Sequence, residues 1–255
     1  TAHVRLITGS TSVRGIALTP DGRYAPVVHV LARYHLPTIR VQQGWMNVNA
    51  LTVIDVGRRE VLNTVLLDDD SEGAANPWGV ACTADGRWIC VSHAGTHELS
   101  VIDGPELLST LRKLPIEFFS NAVFFDGSSY GISSTFSGED VVTLPGFMAG
   151  IRQRVKLPGG GPRGLAVHAR RFYLAEFFTD SIAEVTLAPG KDPQVRELAL
   201  GSKPQWNQIR RGEVLFHDAR LCLQGWQSCA SCHPDARADA LNWDLLNDGE
   251  GNPKN

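Results

Sequence analysis

Apolar residues along this chain are gathered in short runs rich in Val, Ile, Leu, Tyr and Phe, with Gly and Pro recurring between them. That pattern predicts many short strands joined by tight turns. A repeat underlies it. Arg14-Gly15-Ile16-Ala17-Leu18-Thr19-Pro20-Asp21-Gly22-Arg23-Tyr24 matches Trp78-Gly79-Val80-Ala81-Cys82-Thr83-Ala84-Asp85-Gly86-Arg87-Trp88 position for position. Weaker copies start at Asn121 and Gly164, and an aromatic residue lies nine positions after Gly15, Gly79, Asn121 and Gly164 alike. Each copy reads as a hairpin, with Asp-Gly supplying the positive φ of the turn in the two clearest copies. Third strands follow at Leu51, Leu99, Val141 and Ile182, and a fourth such as that at Val195.

Four antiparallel strands make one propeller blade. The copies are 64, 42 and 43 residues apart, close to the roughly 40 to 50 that a blade needs. Residues 31–49 lengthen the first interval as an insertion between second and third strands, and residues 68–77 lengthen the next connection. The predicted fold is therefore all-β, a β-propeller sector with four blades visible. A β-sandwich also spaces strands regularly but would not produce position-matched four-strand units. Residues 3–8 read as the outer strand of a further blade, which points to more blades upstream.

Beyond the fourth copy the pattern changes, dividing the chain into blades at 1–204 and a partial α-helical segment at 205–255. Residues 208–220 read as a helix, and then comes Cys229-Ala230-Ser231-Cys232-His233. Two thiols three apart on a helical turn can add to the two vinyl groups of one haem, and the adjacent imidazole reaches the iron. Haem c is the expected cofactor, with Cys229 and Cys232 as thioether donors and His233 as axial ligand. A thioredoxin-like pair would want a βαβ context and a zinc site a second ligand pair, and neither lies nearby. Cys82 and Cys90, on the two strands of one hairpin, read as buried thiols; Cys222 has no assigned role.

With 43% hydrophobic and 20% charged residues, the chain has the composition of an ordered globular protein. Lys and Arg number 24 against 27 Asp and Glu, so no strong field selects nucleic acid or an anionic membrane. No run approaches the ~18 apolar residues of a transmembrane segment. Covalent haem is attached on the outer side of a bacterial membrane, so a periplasmic or extracellular location is expected.

The stretch Arg211-Gly212-Glu213-Val214-Leu215-Phe216-His217-Asp218-Ala219, followed by Ser228-Cys229-Ala230-Ser231-Cys232-His233-Pro234-Asp235, resembles the first haem module of the di-haem cytochrome c peroxidase family. The blades resemble YVTN-type propellers. The combination is similar to exported bacterial propeller proteins carrying a peroxidase-like cytochrome, a likeness shared by Gly44-Trp45-Met46-Asn47, Asn76-Pro77-Trp78-Gly79 and Asn242-Trp243-Asp244-Leu245. It implies a longer parent whose cytochrome c domain begins here, and a redox partner that is either another exported protein or the remainder of the same polypeptide. Only one CxxCH is present, so the second haem of those peroxidases is not in this chain. Electron transfer and peroxidase-like turnover stay open, beside a propeller that binds a substrate, carbohydrate or protein with an accessory haem, and a metal site lined by propeller histidines.

A second site is expected where blades and haem meet. Strand alternation brings the fourth-to-first and second-to-third connections to one face, where the haem segment begins and the insertion with Trp45 and Met46 lies. His29 and His93 each fall fourteen residues after Gly15 and Gly79, near that face. They are expected either to bond neighbouring loops or to line, with Arg14 and Arg163, a polar pocket for a substrate, anion or metal. Met46 is the nearer methionine for the sixth haem position and Met148 lies on the far face, though a ligand from downstream sequence is the stronger expectation. His217 reads as a helix-surface residue.

Overall fold

The two clearest repeats turn in the same way. Thr19 Oγ1 donates to Asp21 Oδ1 at 2.6 Å, the same carboxylate accepts the Arg23 N–H, and Gly22 takes a φ of +69°. Thr83, Asp85, Arg87 and Gly86 reproduce each of these interactions. The turn thus needs Thr, Asp and Gly at these spacings, which is why the repeat is legible there.

The computed structural model describes residues 3–34, 46–113 and 146–243. They form three four-stranded antiparallel sheets. The first holds β1 (Ser10–Ile16), β2 (Tyr24–Ala32), β3 (Asn47–Asp55) and β4 (Glu60–Leu66). The second holds β5 (Pro77–Cys82), β6 (Trp88–His93), β7 (Glu98–Asp103) and β8 (Arg152–Lys156). The third holds β9 (Pro162–His168), β10 (Arg171–Glu176), β11 (Ser181–Thr186) and β12 (Gln194–Ala199). In each sheet the strands are neighbours in chain order.

Alternating side chains of the second sheet fill two different cores. Val80, Ile89, Val91 and Ile102 pack with Val28, Leu51, Val53 and Val65 of the first sheet. The intervening Ala81, Cys90, Leu99 and Val101 pack with Phe172, Leu174, Ala183 and Val185 of the third. The middle sheet is thus apolar on both faces, the requirement of a blade between two blades. Strand β1 meets β5 and β5 meets β9, so the first strands lie innermost. Glycine permits this approach: a Cβ on Gly15 would lie 2.6 Å from Trp78 O, and one on Gly79 2.8 Å from Arg163 O. Helix α1 (Gly104–Lys113) covers the first interface with Leu107 and Leu111, one turn apart on a single face. Among the described residues no helix is long and apolar enough to cross a membrane.

One expectation falls outside the described residues and one changes. The described residues make three blades, and the copy at Asn121, with its third strand at Val141, lies outside them. The fourth strand of the second blade is β8, later in the chain than that copy. Its alternating Arg152, Arg154 and Lys156 hide it from a search for apolar runs. Residues 3–8 pair with no strand among the described residues. Ser10 N–H bonds back to Ile7 O at 3.1 Å, turning the chain so that Ile7 packs on Leu31, Val48 and Trp226.

Candidate functional site

After β12 the apolar alternation stops. Helix α2 (Gln208–His217) begins at Asn207, whose side chain accepts the Arg210 N–H at 2.9 Å, satisfying one of the free donors of its first turn. Two short 3-10 turns, Ala219–Leu221 and Leu223–Gly225, lead to α3 (Cys229–Cys232), a single helical turn.

This segment is seated on the connections at one end of the first two blades. Trp226 is buried with Leu31, Val48, Ala50 and Leu66. Gly73 N–H donates to Gln224 O at 2.8 Å, and a Cβ there would fall 2.3 Å from Trp226 Cα. Ala219 N–H donates to Gly95 O at 2.9 Å. Asparagines carry much of the remaining contact. Asn49 donates to Trp226 O at 3.1 Å and to Asp68 Oδ1 at 2.8 Å, while its own oxygen accepts the Asn76 N–H. Asn76, at a φ of +55° that Asn tolerates, donates to Ser228 Oγ and accepts from Ser231 Oγ, both at 2.7 Å. Asn47 donates to Cys232 Sγ at 3.1 Å.

Asp68 lies beneath this layer. Burial raises its carboxyl to about 6, against the pull of three N–H donors from Asn49 and Ala74. His97 joins the second and third blades to the same segment. Gly161 N–H donates to its Nδ1 at 2.8 Å, so the proton is on Nε2, which faces Asp218 at 3.4 Å. Burial lowers the His97 pKa.

The sequence-predicted attachment residues come together on α3 and its C-terminal cap. Cys229 and Cys232 are one helical turn apart, Cys229 exposed and Cys232 partly covered, and both are free thiols. Burial raises the Cys232 pKa. His233 Nδ1 lies 3.0 Å from Arg237 O, a pure acceptor, so Nδ1 carries the proton and Nε2 keeps its lone pair. Met46 directly precedes Asn47, and Trp45 is outside the described residues. Met148 is 1% exposed in the first core, so it is a packing residue. His217 is half-buried, bonded through Nδ1 to Glu213 O at 2.8 Å and lying beside the Phe178 ring.

The polar pocket forms differently from expectation. Arg14 and Arg163 do meet, stacked on Trp78 at 4.4 and 4.6 Å. His29 and His93 do not join them, because each ring is fully used inside its own surroundings. His29 Nδ1 bonds Val30 O and its Nε2 faces Thr52 Oγ1 at 2.8 Å. His93 Nδ1 bonds Ala74 O and its Nε2 faces Ser100 Oγ at 2.7 Å. Burial depresses their pKa values to about 4 and about 3, so both are neutral structural groups. No group of three or more His, Cys, Asp or Glu is placed to hold a metal ion among the described residues.

Sequence reasoning passed over the asparagine seat and an ion network beside it. Arg152 bonds Asp69, and Arg154 bonds Asp69, Glu98 and the carbonyl of Gly73, holding the connection that receives Gln224. A signal did exist: Asn47 and Asn49 stand at alternate positions of a strand, where Asn is disfavoured unless its amide has work to do.

No protein-family model matches the chain. It is 28% identical over 108 residues to hydrazine synthase subunit beta of Kuenenia stuttgartiensis, covering 42% of this chain and 28% of that subunit. It is 46% identical over 48 residues to hydrazine synthase subunit gamma of the same organism, covering 18% of this chain and 14% of that subunit. The chain thus spans less than a third of either curated relative. Among solved structures, Kuenenia stuttgartiensis hydrazine synthase superposes with a TM-score of 0.58 at 22% identity, over 71% of this chain and 47% of that one. The chain is a β-propeller protein, similar in sequence to parts of two hydrazine synthase subunits.

Proposed function

We propose that this chain is part of an exported, multi-subunit haem c oxidoreductase, in which the propeller is the platform and Cys229, Cys232 and His233 hold the haem. The observation that carries the reading is the tautomer of His233: with Nδ1–H committed to Arg237 O, the lone pair of Nε2 is free for iron and the ring is oriented by its own backbone. Two unpaired thiols on one helical turn, one exposed and one at the seat, suit thioether formation. When bound, the haem supplies one-electron chemistry at the iron.

The chain's own residues position that group. Asn76, Ser228 and Ser231 fix the turn that carries both thiols, and Asn47 touches Cys232 Sγ, so the thiols sit on the rigid blades rather than on a loose tail. Similarity to two subunits of one enzyme supports a place in a protein complex with a redox partner. Electron transfer is the favoured role, and the peroxidase-like likeness of residues 211–235 marks the competing one. Haem staining after denaturing electrophoresis tests the site. The purified chain should stain, and Cys229→Ser or Cys232→Ser should reduce or abolish the stain; staining unchanged in both variants would refute the assignment. In the visible spectrum a six-coordinate low-spin haem supports transfer, and a high-spin one supports turnover.

A further inference from the structure

The residues immediately before Gly15, Gly79 and Gly164 are Arg14, Trp78 and Arg163, contributed by the three innermost strands. The close approach that the first two glycines allow brings them into one stack. Arg14 lies 4.4 Å and Arg163 4.6 Å from the Trp78 ring, Arg163 lies 3.8 Å from the Phe177 ring, and Arg210 of α2 lies 4.4 Å from Phe177. Three guanidinium groups thus alternate with two aromatic rings where the axial end of the blades meets the haem segment.

The outer two cations are neutralised. Arg14 pairs with Asp235 at 2.9 Å and Arg210 with Glu213 at 2.6 Å. Arg163 makes no ion pair among the described residues, although the Glu213 and Asp235 carboxylates act on it from further away, and its Nε is buried between rings without a hydrogen-bond acceptor. A half-buried cation held between two others, with unused planar donors, is unfavourable by itself and complementary to a planar anion. Aromatic faces compensate part of the charge but accept none of the N–H groups.

We infer that Arg163, flanked by Arg14 and Arg210, forms a binding site for a planar oxyanion, a carboxylate or its inorganic equivalent, at the axial end of the blades. Burial lowers the Arg163 pKa, Arg210 and Arg14 act in the same direction, and the Glu213 and Asp235 carboxylates oppose them. The oxyanion is either a free small solute or a propionate of the haem proposed above; only the propionate source rests on that proposal.

The test uses the purified chain with its native cofactor complement, and nitrate as the probe against chloride at equal ionic strength. If the site takes a free oxyanion, nitrate raises the melting temperature of the wild type, and Arg163→Met weakens nitrate binding at least tenfold in calorimetry. If a propionate fills it, nitrate has no such effect, but Arg163→Met lowers the haem midpoint potential and Arg163→Lys restores most of it. Arg14→Gln provides a second variant with the same direction of effect. A chain that carries no haem but binds nitrate through Arg163 would sink the haem reading and keep this one. No nitrate binding together with an unmoved potential, or with no haem present, overturns the oxyanion site.

Discussion

Replacing Asn76 by Ala should loosen the attachment turn without unfolding the blades. The change removes the bonds to Ser228 Oγ and from Ser231 Oγ, both 2.7 Å long. Those residues are 4% and 1% exposed, so water does not take over the vacated positions. Each loss costs about 1 to 1.5 kcal/mol. Asn76 also holds a φ of +55°, where Ala adds about 1 kcal/mol relative to its preferred conformations. The sum, about 3 to 4 kcal/mol, falls on local opening of α3, since this is the element Asn76 pins. Amide hydrogen exchange reads it directly at Ser231 and His233, whose N–H groups bond Ser228 O at 3.0 Å and Cys229 O at 2.9 Å. Their exchange should accelerate by about two to three orders of magnitude, at about 1.4 kcal/mol per tenfold. Asn76→Gly loses the same bonds without the φ penalty and should exchange about fivefold more slowly than the Ala variant. Unchanged exchange in the Ala variant, or a Gly variant that opens more readily than it, would refute the reasoning.

Gly73→Ala drives a Cβ to within 2.3 Å of Trp226 Cα and 2.5 Å of Gly225 O. Both are backbone atoms, so a cost of at least about 2 kcal/mol is expected, seen as faster limited proteolysis between Asp218 and Ser228. Glu98→Gln leaves Arg154 and Lys156 facing no carboxylate at their shared residue, which is 0% exposed; a lower urea midpoint, by about 3 kcal/mol of stability, is the expected outcome. Stability should also fall in acid. His29 and His93 have folded pKa values of about 4 and about 3 against 6.5 unfolded, so their contribution is full above 6.5 and is lost as pH drops through that window. Asp68, raised to about 6 from 3.8, acts oppositely and gains stability over the same descent, offsetting part of the loss. Urea midpoints at pH 7.5 and 4.5 check the net sign, and a midpoint that rises in acid would count against it.

The blades were legible where backbone geometry demands particular residues. Asp21-Gly22 and Asp85-Gly86 announce their turns, and Val80-Ala81 and Ile89-Cys90-Val91 announce a strand with two apolar faces. Strand β8 was not legible, because Arg152, Arg154 and Lys156 read as a solvated face while in fact they meet carboxylates. The turn that carries Cys229, Cys232 and His233 was legible as a motif because the three residues are adjacent in the chain. Its seat was not: Asn76 and Ser228 are 152 positions apart, and no local pattern couples them. His29 and His93 take the hydrogen-bonded alternative rather than the pocket, since equal repeat positions gave them equal depth without revealing that Thr52 and Ser100 already engage their rings.

Strand β8 has a bearing on how the second blade assembles. It joins β7 across the intervening residues 104–151, whereas β6 and β7 are joined by residues 94–97. The longer separation in sequence costs about 2 kcal/mol more in closure entropy, so β8 is expected to pair after β6 and β7 have done so, leaving β7 an open edge until then. The acidic groups waiting there, Asp69, Glu72 and Glu98, attract a strand bearing three cations on one face. Alignment is selected by the same charges. A slip of one residue would turn those cations toward Leu99 and Val101, and a slip of two would move Lys156 away from its position opposite Glu98. Pairing of β8 is therefore expected to be guided by charge, and refolding of the middle blade to slow as salt is added.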